Sequence, residues 1–227
     1  MMDHRRVDLT GIRLAYRVWG PPDAPPLVLL HALGEGAADW DAVAPVFARS
    51  RRVYALDLRG HGLSDRPGDY ALELMQSDVL RFLDSLGLDR VDLIGHSLGG
   101  VVAYLFAADR PQRVAGLVLE DVPAPRDREP STLARPEGEL SFDWEVVPAV
   151  RRQLDRPDPA WSDRLGRITA DTLVVAGGPS SHIPQDAVAE LAGLIPGGRM
   201  VTIPVGHLVH RFAPEAFTEA VADFLRL

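Results

Sequence analysis

The sequence predicts an α/β domain with one mostly parallel central sheet and helices on both faces. Short continuous apolar runs alternate along the chain with amphipathic segments of helical period, which is typical of strands joined by crossover helices. The chain has 227 residues, of which 46% are hydrophobic, enough for one substantial core. A glycine-rich turn, GHSLG at residues 95–99, stands between one apolar run and the next helical segment, as expected at such a strand-to-helix junction.

The predicted elements follow one another in a regular order. The N-terminal stretch 7–19 alternates in polarity around Gly11 and predicts a β-hairpin. Six apolar runs then predict strands buried on both faces, at 25–34, 51–58, 90–96, 114–121, 171–178 and 198–205. Helical segments are predicted at 71–85, 98–108, 185–194 and 214–227. Because the strands alternate with helices, most of the sheet should be parallel.

One segment, residues 123–167, interrupts this order. It is rich in Pro, Arg, Asp and Glu, and its only clear helical piece is 144–154. A disordered linker is one interpretation. The aromatic residues Trp144 and Trp161 favour a small lid inserted into the domain. We therefore predict a core formed by residues 1–122 and 168–227, with a short lid at 123–167.

Composition limits the classes of partner. Twenty-four Lys and Arg against 32 Asp and Glu give a net charge of −8, which argues against nucleic acid and anionic membranes. Cysteine is absent, which excludes disulfides, thiolate zinc sites and cysteine nucleophiles. No apolar run is long enough for a membrane span or a signal peptide. We expect a cytoplasmic protein with a small-molecule partner, and leave homo-oligomer formation open.

The motif GHSLG at 95–99 predicts a catalytic nucleophile. Its glycines let strand and helix approach closely, and the tight turn between them presents the Ser97 hydroxyl above the sheet edge. The free N–H groups of the following helix favour developing negative charge. The alternative is a glycine-rich turn with an incidental serine, but the strand and helix on either side favour the nucleophile.

Four motifs carry a family resemblance: HALG at 31–34, DLRGHGLS at 57–64, GHSLGG at 95–100 and GHLVHRFAPE at 206–215. In this order and at these positions, the chain resembles the α/β-hydrolase fold superfamily over essentially its whole length. With serine at position 97, the chain resembles the branch of the superfamily that uses a serine nucleophile. This serine argues against the epoxide hydrolases and haloalkane dehalogenases, which use an aspartate there.

The resemblance implies a general base for the serine, since an unactivated hydroxyl is a weak nucleophile. The family places a histidine after the last strand and before the C-terminal helix. Gly206-His207 followed by Pro214-Glu215 matches that pattern, so His207 is the expected base. The neighbouring His210 is the alternative.

The resemblance also implies an oxyanion hole made of two backbone N–H groups. One is that of Leu98, the residue after the nucleophile. The other is that of Leu33, in the loop HALG. The chain departs from the family pattern at Ala32, where glycine is usual. His31 is expected to brace this loop.

The orienting acid of the triad is not where the family often has it. In many members it follows the seventh strand, and here that position falls at about Ser180, where no carboxylate is present. Asp171 begins the strand and so lies at the wrong end of the sheet. Asp186 stands in the first turn of a helix, where it complements the helix dipole.

Glu120 and Asp121 end the strand 114–121 at the same sheet edge as Ser97. Asp121 matches the alternative acid position of some family members. Side chains alternate along a strand, so only one of the two carboxylates can reach His207. Asp121 is the preferred acid and Glu120 the second choice. A dyad in which Ser180 or a water holds His207 remains a further alternative.

These residues predict a serine hydrolase that cleaves a small ester, thioester or lactone through an acyl-enzyme on Ser97. No metal or organic cofactor is implied. Four further side chains are candidate pocket residues: His31, His96, Trp144 and His182. Non-ester chemistry on the same site, such as C–C hydrolysis, perhydrolysis or a lyase or isomerase step, is an alternative. A ligand-binding protein with little turnover is another.

Overall fold

A single eight-stranded sheet organises the chain, in the order β1-β2-β4-β3-β5-β6-β7-β8. The computed structural model describes residues 3–130 and 133–227. The strands are β1 Asp3–Leu9, β2 Ile12–Trp19, β3 Pro26–Leu30, β4 Arg52–Leu56, β5 Val91–His96, β6 Val114–Glu120, β7 Asp171–Ala176 and β8 Arg199–Thr202. Strand β2 runs antiparallel to β1 and β4, and every other pair is parallel. The predicted hairpin and the mostly parallel sheet are both confirmed.

Helices pack on both faces of this sheet. They are α1 Ala44–Phe47, α2 Leu72–Ser85, α3 Leu98–Asp109, α4 Val146–Asp155, α5 Ala160–Leu165, α6 Gln185–Leu194, α7 Val209–Phe212 and α8 Pro214–Leu225, with 3₁₀ turns at Ala37–Ala42 and Pro111–Arg113. The four predicted helical segments correspond to α2, α3, α6 and α8. The short helices α1 and α7 were not predicted, since four residues are too few to show a helical period.

The apolar core lies in two clusters, one on each side of the sheet. The larger includes the apolar face of α2, with Leu72, Met75, Val79, Phe82 and Leu83, and every buried residue of α3 except Gly99 and Gly100. Every residue of α3 from Leu98 to Ala108 is buried, so this helix is apolar all round, as expected of a helix enclosed by its neighbours. The smaller cluster joins Trp40 and Phe47 to Phe217 of α8. Buried on both sides, β5 and α3 hold the turn between them in a fixed place.

Residues 123–167 leave the sheet after β6 and return to it at β7. Their apolar side chains Val146, Val150, Trp161 and Leu165 are buried in the larger cluster. The predicted helical piece at 144–154 corresponds to α4. Within residues 3–130 and 133–227, no helix combines the length and apolar character that crossing a membrane requires.

Candidate active site

Ser97, His207 and Asp121 lie at one edge of the sheet. Strands β5, β6, β7 and β8 are parallel, so their carboxyl ends meet at the same edge, where α/β proteins gather their ligand-binding residues. Ser97 directly follows β5, Asp121 directly follows β6, and His207 follows β8. Their convergence is a consequence of strand direction and not of nearness in sequence.

Ser97 sits on a strained strand-to-helix turn. Its backbone has φ 50 and ψ −113, a region that non-glycine residues rarely occupy and that is often found at functional sites. A Cβ added at Gly95 would lie 2.4 Å from the Gly99 carbonyl oxygen, and one added at Gly99 would lie 2.2 Å from that of Leu30. The two glycines are therefore required by close backbone approach, as the motif predicts.

Asp121 contacts His207 directly. Its Oδ2 lies 2.7 Å from Nδ1 of the imidazole. The Asp121 side chain is completely buried, whereas that of His207 is 15% exposed. Among the described residues no hydrogen bond joins the Ser97 hydroxyl to His207. In serine hydrolases this contact commonly tightens only when substrate binds.

Three further donors hold the Asp121 carboxylate. Oδ1 accepts from the Gly177 N–H at 2.9 Å and from Gln185 Nε2 at 3.1 Å, and Oδ2 accepts from the Ser181 hydroxyl. Burial alone would raise the pKa of Asp121, but hydrogen bonds from His207, Ser181, Gly177 and Gln185 lower it below its ordinary value. The group is therefore held as a carboxylate.

Ser181 and Gln185 were not predicted as site residues. Both follow β7, in the stretch where the family often carries its acid. Ser180, the position named from the family pattern, is exposed, and the next residue along donates to Asp121. In this chain the loop after β7 thus supplies donors to a carboxylate that comes from β6. The hydroxyl and amide side chains within residues 180–185 could have indicated hydrogen-bond donors in this loop.

Glu120 contacts a different histidine. Its Oε1 accepts from the His210 backbone N–H at 2.9 Å, and its Oε2 lies 2.8 Å from His210 Nδ1. Both side chains are fully buried. Burial alone would lower the pKa of His210, but the negative charges of Glu120 and Asp39 raise it to about 10. The alternation predicted for the two adjacent carboxylates is observed, with one histidine for each.

The two predicted oxyanion donors belong to neighbouring backbone segments. The Gly99 N–H donates to the His31 carbonyl oxygen at 3.1 Å, which ties the loop after β3 to the start of α3. Within the described part of the chain, the N–H groups of Leu33 and Leu98 have no hydrogen-bond acceptor. Both are therefore available to a ligand.

His31 and His96 are not among the residues that line the cavity beside Ser97, and a substrate contact at either ring stays a prediction. Both are fully buried. His31 Nε2 accepts from the Leu58 N–H at 3.0 Å, and His96 Nε2 donates to the His207 carbonyl oxygen at 2.9 Å. Burial lowers the pKa of each ring to about 4. They brace the loops that carry Leu33 and His207, a bracing role the sequence had predicted for His31 alone.

Trp144 and His182 lie in different surroundings. Trp144 lines a separate cleft of about 470 Å³ with Val147, Pro148 and Arg151, and its contact with a substrate stays a prediction. The His182 ring lies 4.3 Å from the His207 ring, centroid to centroid, and is exposed. Burial and the neighbouring His207 lower its pKa. His182 borders His207, and a substrate contact there stays a prediction.

A small cavity of about 50 Å³ lies beside Ser97. Its apolar walls include Leu98, Val101, Tyr104, Leu154, Trp161 and Ile183. The first three stand at i, i+3 and i+6 on α3, which places them on one helix face. That spacing after Ser97 was the signal that could have identified them.

Known proteins of similar sequence and structure share this fold. The family profile described as alpha/beta hydrolase fold matches residues 25–145. This chain belongs to the alpha/beta hydrolase fold family. Among solved structures, the α/β-hydrolase resembles a hydrolase from Pseudomonas aeruginosa PA01, at 30% identity over 99% of both chains with a TM-score of 0.85. It also resembles the enol-lactonase from Burkholderia xenovorans LB400, at 26% identity over 98% and 100% of the two chains, TM-score 0.89.

Curated relatives of this α/β-hydrolase match it over different spans. An uncharacterized protein of Mycobacterium bovis is 39% identical over 48% of the chain, but the match covers 32% of that protein. The chain thus spans about a third of the length of the first relatives it matches. The sn-1-specific diacylglycerol lipase of Mus musculus is 27% identical over 96% of the chain and 87% of its own length.

Proposed function

We propose that this α/β-hydrolase is a serine hydrolase that cleaves a small ester, thioester or lactone through an acyl-enzyme on Ser97. The observation that carries the proposal is the buried Asp121 carboxylate, 2.7 Å from Nδ1 of His207. A carboxylate on Nδ1 fixes the imidazole tautomer and leaves Nε2 to accept a proton. The strained Ser97 at the same sheet edge supplies the hydroxyl.

The chemistry follows from these contacts. His207 Nε2 takes the Ser97 proton as Oγ attacks the substrate carbonyl carbon, and Asp121 stabilises the imidazolium that forms. The unengaged N–H groups of Leu33 and Leu98 stabilise the oxyanion. His207 then returns the proton to the leaving group and the acyl-serine remains. A water deprotonated by His207 attacks the acyl-serine and releases the acid.

The cavity beside Ser97 supports a small acyl group. A volume of about 50 Å³ is only a few times the roughly 10–15 Å³ that a cavity needs to hold one water molecule. Its apolar walls favour a short aliphatic acyl chain. The enol-lactonase from Burkholderia xenovorans LB400 covers the whole fold at 26% identity, which supports a lactone or ester as the substrate class.

We further propose that residues 123–167 act as the lid of this site. The segment supplies Leu154 and Trp161 to the cavity beside Ser97, and its anchoring residues Val146 and Val150 are buried in the core. A lid of this kind would limit the length of the acyl chain.

A screen of p-nitrophenyl esters of increasing acyl length, together with simple lactones, tests the proposed activity. We expect turnover that is greatest for short acyl chains and abolished in Ser97→Ala. Turnover that persists in Ser97→Ala would contradict the proposal. Correct folding of the variant is checked by its circular dichroism.

C–C bond hydrolysis is the second candidate. The 2-hydroxy-6-oxo-2,4-heptadienoate hydrolase of Pseudomonas putida is 43% identical over 41% of this chain and 36% of its own length. That match favours the same triad acting on a carbon–carbon bond next to a carbonyl. Two results together would favour this candidate. The protein would turn over no ester or lactone, and Ser97 would still react with a serine-directed probe. An unreactive serine would instead favour a ligand-binding protein.

A further inference from the structure

Three buried polar atoms of neighbouring side chains lack a hydrogen-bond partner among the described residues. They are Asp39 Oδ2, His96 Nδ1 and His210 Nε2, and all three are inaccessible to solvent. One potential ligand atom from each of these residues lies within 4.8 Å of the other two. A buried polar atom without a partner costs roughly 1–3 kcal/mol, so three in one place call for an explanation.

The hydrogen bonds of His96 fix which of its ring nitrogens carries a proton. Nε2 lies 2.9 Å from the His207 carbonyl oxygen. A carbonyl can only accept, so Nε2 must carry the hydrogen. In the neutral ring Nδ1 then presents a lone pair. This lone pair receives no donor from the described residues, and Asp39 and His210 are its neighbours in the group.

The other two atoms are held in a comparable way by their outer contacts. The second ring nitrogen of His210, Nδ1, lies 2.8 Å from Glu120. The second oxygen of Asp39, Oδ1, accepts from Arg211 Nε at 3.0 Å. An outer carboxylate or carbonyl on the far nitrogen of each histidine is the arrangement that orients metal-ligating histidines.

We propose that Asp39, His96 and His210 bind a divalent transition-metal ion of the zinc type. Two imidazole nitrogens and one carboxylate oxygen form a donor set that Zn²⁺ accepts. Binding of the ion would displace the proton that His210 otherwise carries. With both rings then neutral, the charges of Asp39 and Glu120 balance the two positive charges of the ion. A solvent molecule completes four-coordination.

A buried water that donates to Asp39 Oδ2 and His96 Nδ1 and accepts from a protonated His210 Nε2 is the competing explanation, and titration with metal separates the two. A proton alone explains the cluster less completely. A proton on His210 Nε2 would face Asp39 Oδ2 at 3.2 Å, at an angle that misses hydrogen-bond geometry, and it would leave His96 Nδ1 without a donor. A metal ion satisfies all three atoms. The ligand atoms would have to close from as much as 4.8 Å to about 3.4 Å, the spacing set by tetrahedral bonds of about 2.1 Å.

The surroundings offer an entry path and a structural consequence. Asp39 borders a surface cleft of about 470 Å³, together with Glu35, Gly36 and Arg211. On its inner side, His96 holds the His207 backbone carbonyl. The ion would fix the loop of His207 to the core, and this stabilising role does not depend on the reaction proposed for Ser97.

Cobalt(II) and zinc(II) binding to the chelator-treated full-length protein tests the site. Cobalt serves as the spectroscopic probe and zinc is titrated by calorimetry. We expect one equivalent of metal per chain, with cobalt absorption bands of a four-coordinate nitrogen and oxygen site. Asp39→Asn, which keeps the size of the side chain, should weaken binding by at least about 100-fold, and Glu120→Gln by about 10- to 100-fold.

Two matched controls separate this site from surface binding. Asp41→Asn changes an exposed carboxylate on the same 3₁₀ turn, and His182→Ala removes the exposed histidine beside His207; both should bind like the unmodified protein. Far-UV circular dichroism checks that each variant is folded. No stoichiometric uptake by the unmodified protein, or equal uptake by folded Asp39→Asn, would overturn the site. Loss of uptake in His182→Ala would assign the metal to the surface and overturn it equally.

Discussion

At the scale of single residues, two neighbouring carboxylates have separate partners. Asp121 contacts His207, and Glu120 contacts His210. Asp121 also has φ 48, in the left-handed region that Asp and Asn enter more readily than other side chains. An aspartate at the end of β6 can therefore turn its carboxylate toward the loop after β8, while the strand residue before it faces the opposite side.

Asp121→Asn is expected to lower kcat by about 10⁴-fold, because the amide favours the wrong tautomer of His207. Asn tolerates the same backbone conformation, so the variant should remain folded. Steady-state turnover of the best ester substrate is the measurement. Asp186→Asn is the control, since Asp186 is 71% exposed and paired with Arg126. A comparable loss of turnover in this control would assign the acid to Asp186.

Glu120→Gln is expected to act mainly on stability. Removing one partner of a buried ion pair typically costs about 3–5 kcal/mol, and both Glu120 and His210 are fully buried. Urea denaturation measures the free energy of unfolding of the variant and of the unmodified protein. Asp127→Asn, in an exposed pair with Arg156, should change the free energy of unfolding by less than about 0.5 kcal/mol. Equal unfolding free energies for the two variants would show that the buried pair contributes little.

At the scale of elements, the turn from β5 to α3 is the most constrained junction. The strand, the glycine-rich turn and the helix were predictable from local sequence, because buried strands and helices differ in period and length. Ser181 and Gln185 were not, since a hydroxyl or amide in a loop has no period to reveal its partner. Which carboxylate they hold depends on the packing of β6 beside β7.

Gly99→Ala tests this junction. The added methyl group would lie 2.2 Å from the Leu30 carbonyl oxygen, so the strand and helix must separate and the Ser97 turn must shift. We expect lower thermal stability and loss of esterase activity. Gly193→Ala is the control, because a methyl group there meets nothing within 4 Å and should stabilise α6 by about 0.5–1 kcal/mol. Equal melting temperatures for the two variants would contradict the close approach.

At the scale of the whole molecule, the site exists because the sheet brings distant residues to one edge. Strand alternation predicted a parallel sheet, and four motifs predicted the family. The residues that line the cavity could not be predicted from the sequence, because the lining depends on how residues 123–167 pack over α3. The sequence therefore named His31, His96 and Trp144, which are not among the residues lining this cavity, and missed Val101, Tyr104 and Trp161.

Ile183→Ala tests the size of the acyl cavity. Ile183 is 8% exposed and closes one wall of the cavity. Its truncation should raise kcat/KM for acyl chains one or two methylenes longer, since each methylene in an apolar pocket is worth about 1–3 kcal/mol. Leu194→Ala, a truncation at an exposed position of α6, is the control. An unchanged chain-length profile in Ile183→Ala would place the acyl group elsewhere.

Covalent labelling by a fluorophosphonate probe, mapped by peptide mass spectrometry, tests most directly whether Ser97 is an activated nucleophile. We predict one label per chain, on the peptide that contains Ser97. The labelling rate should fall sharply in His207→Ala and by a smaller factor in Asp121→Asn. Absence of the label from Ser97, or labelling at the same rate without the His207 imidazole, would contradict a serine hydrolase mechanism.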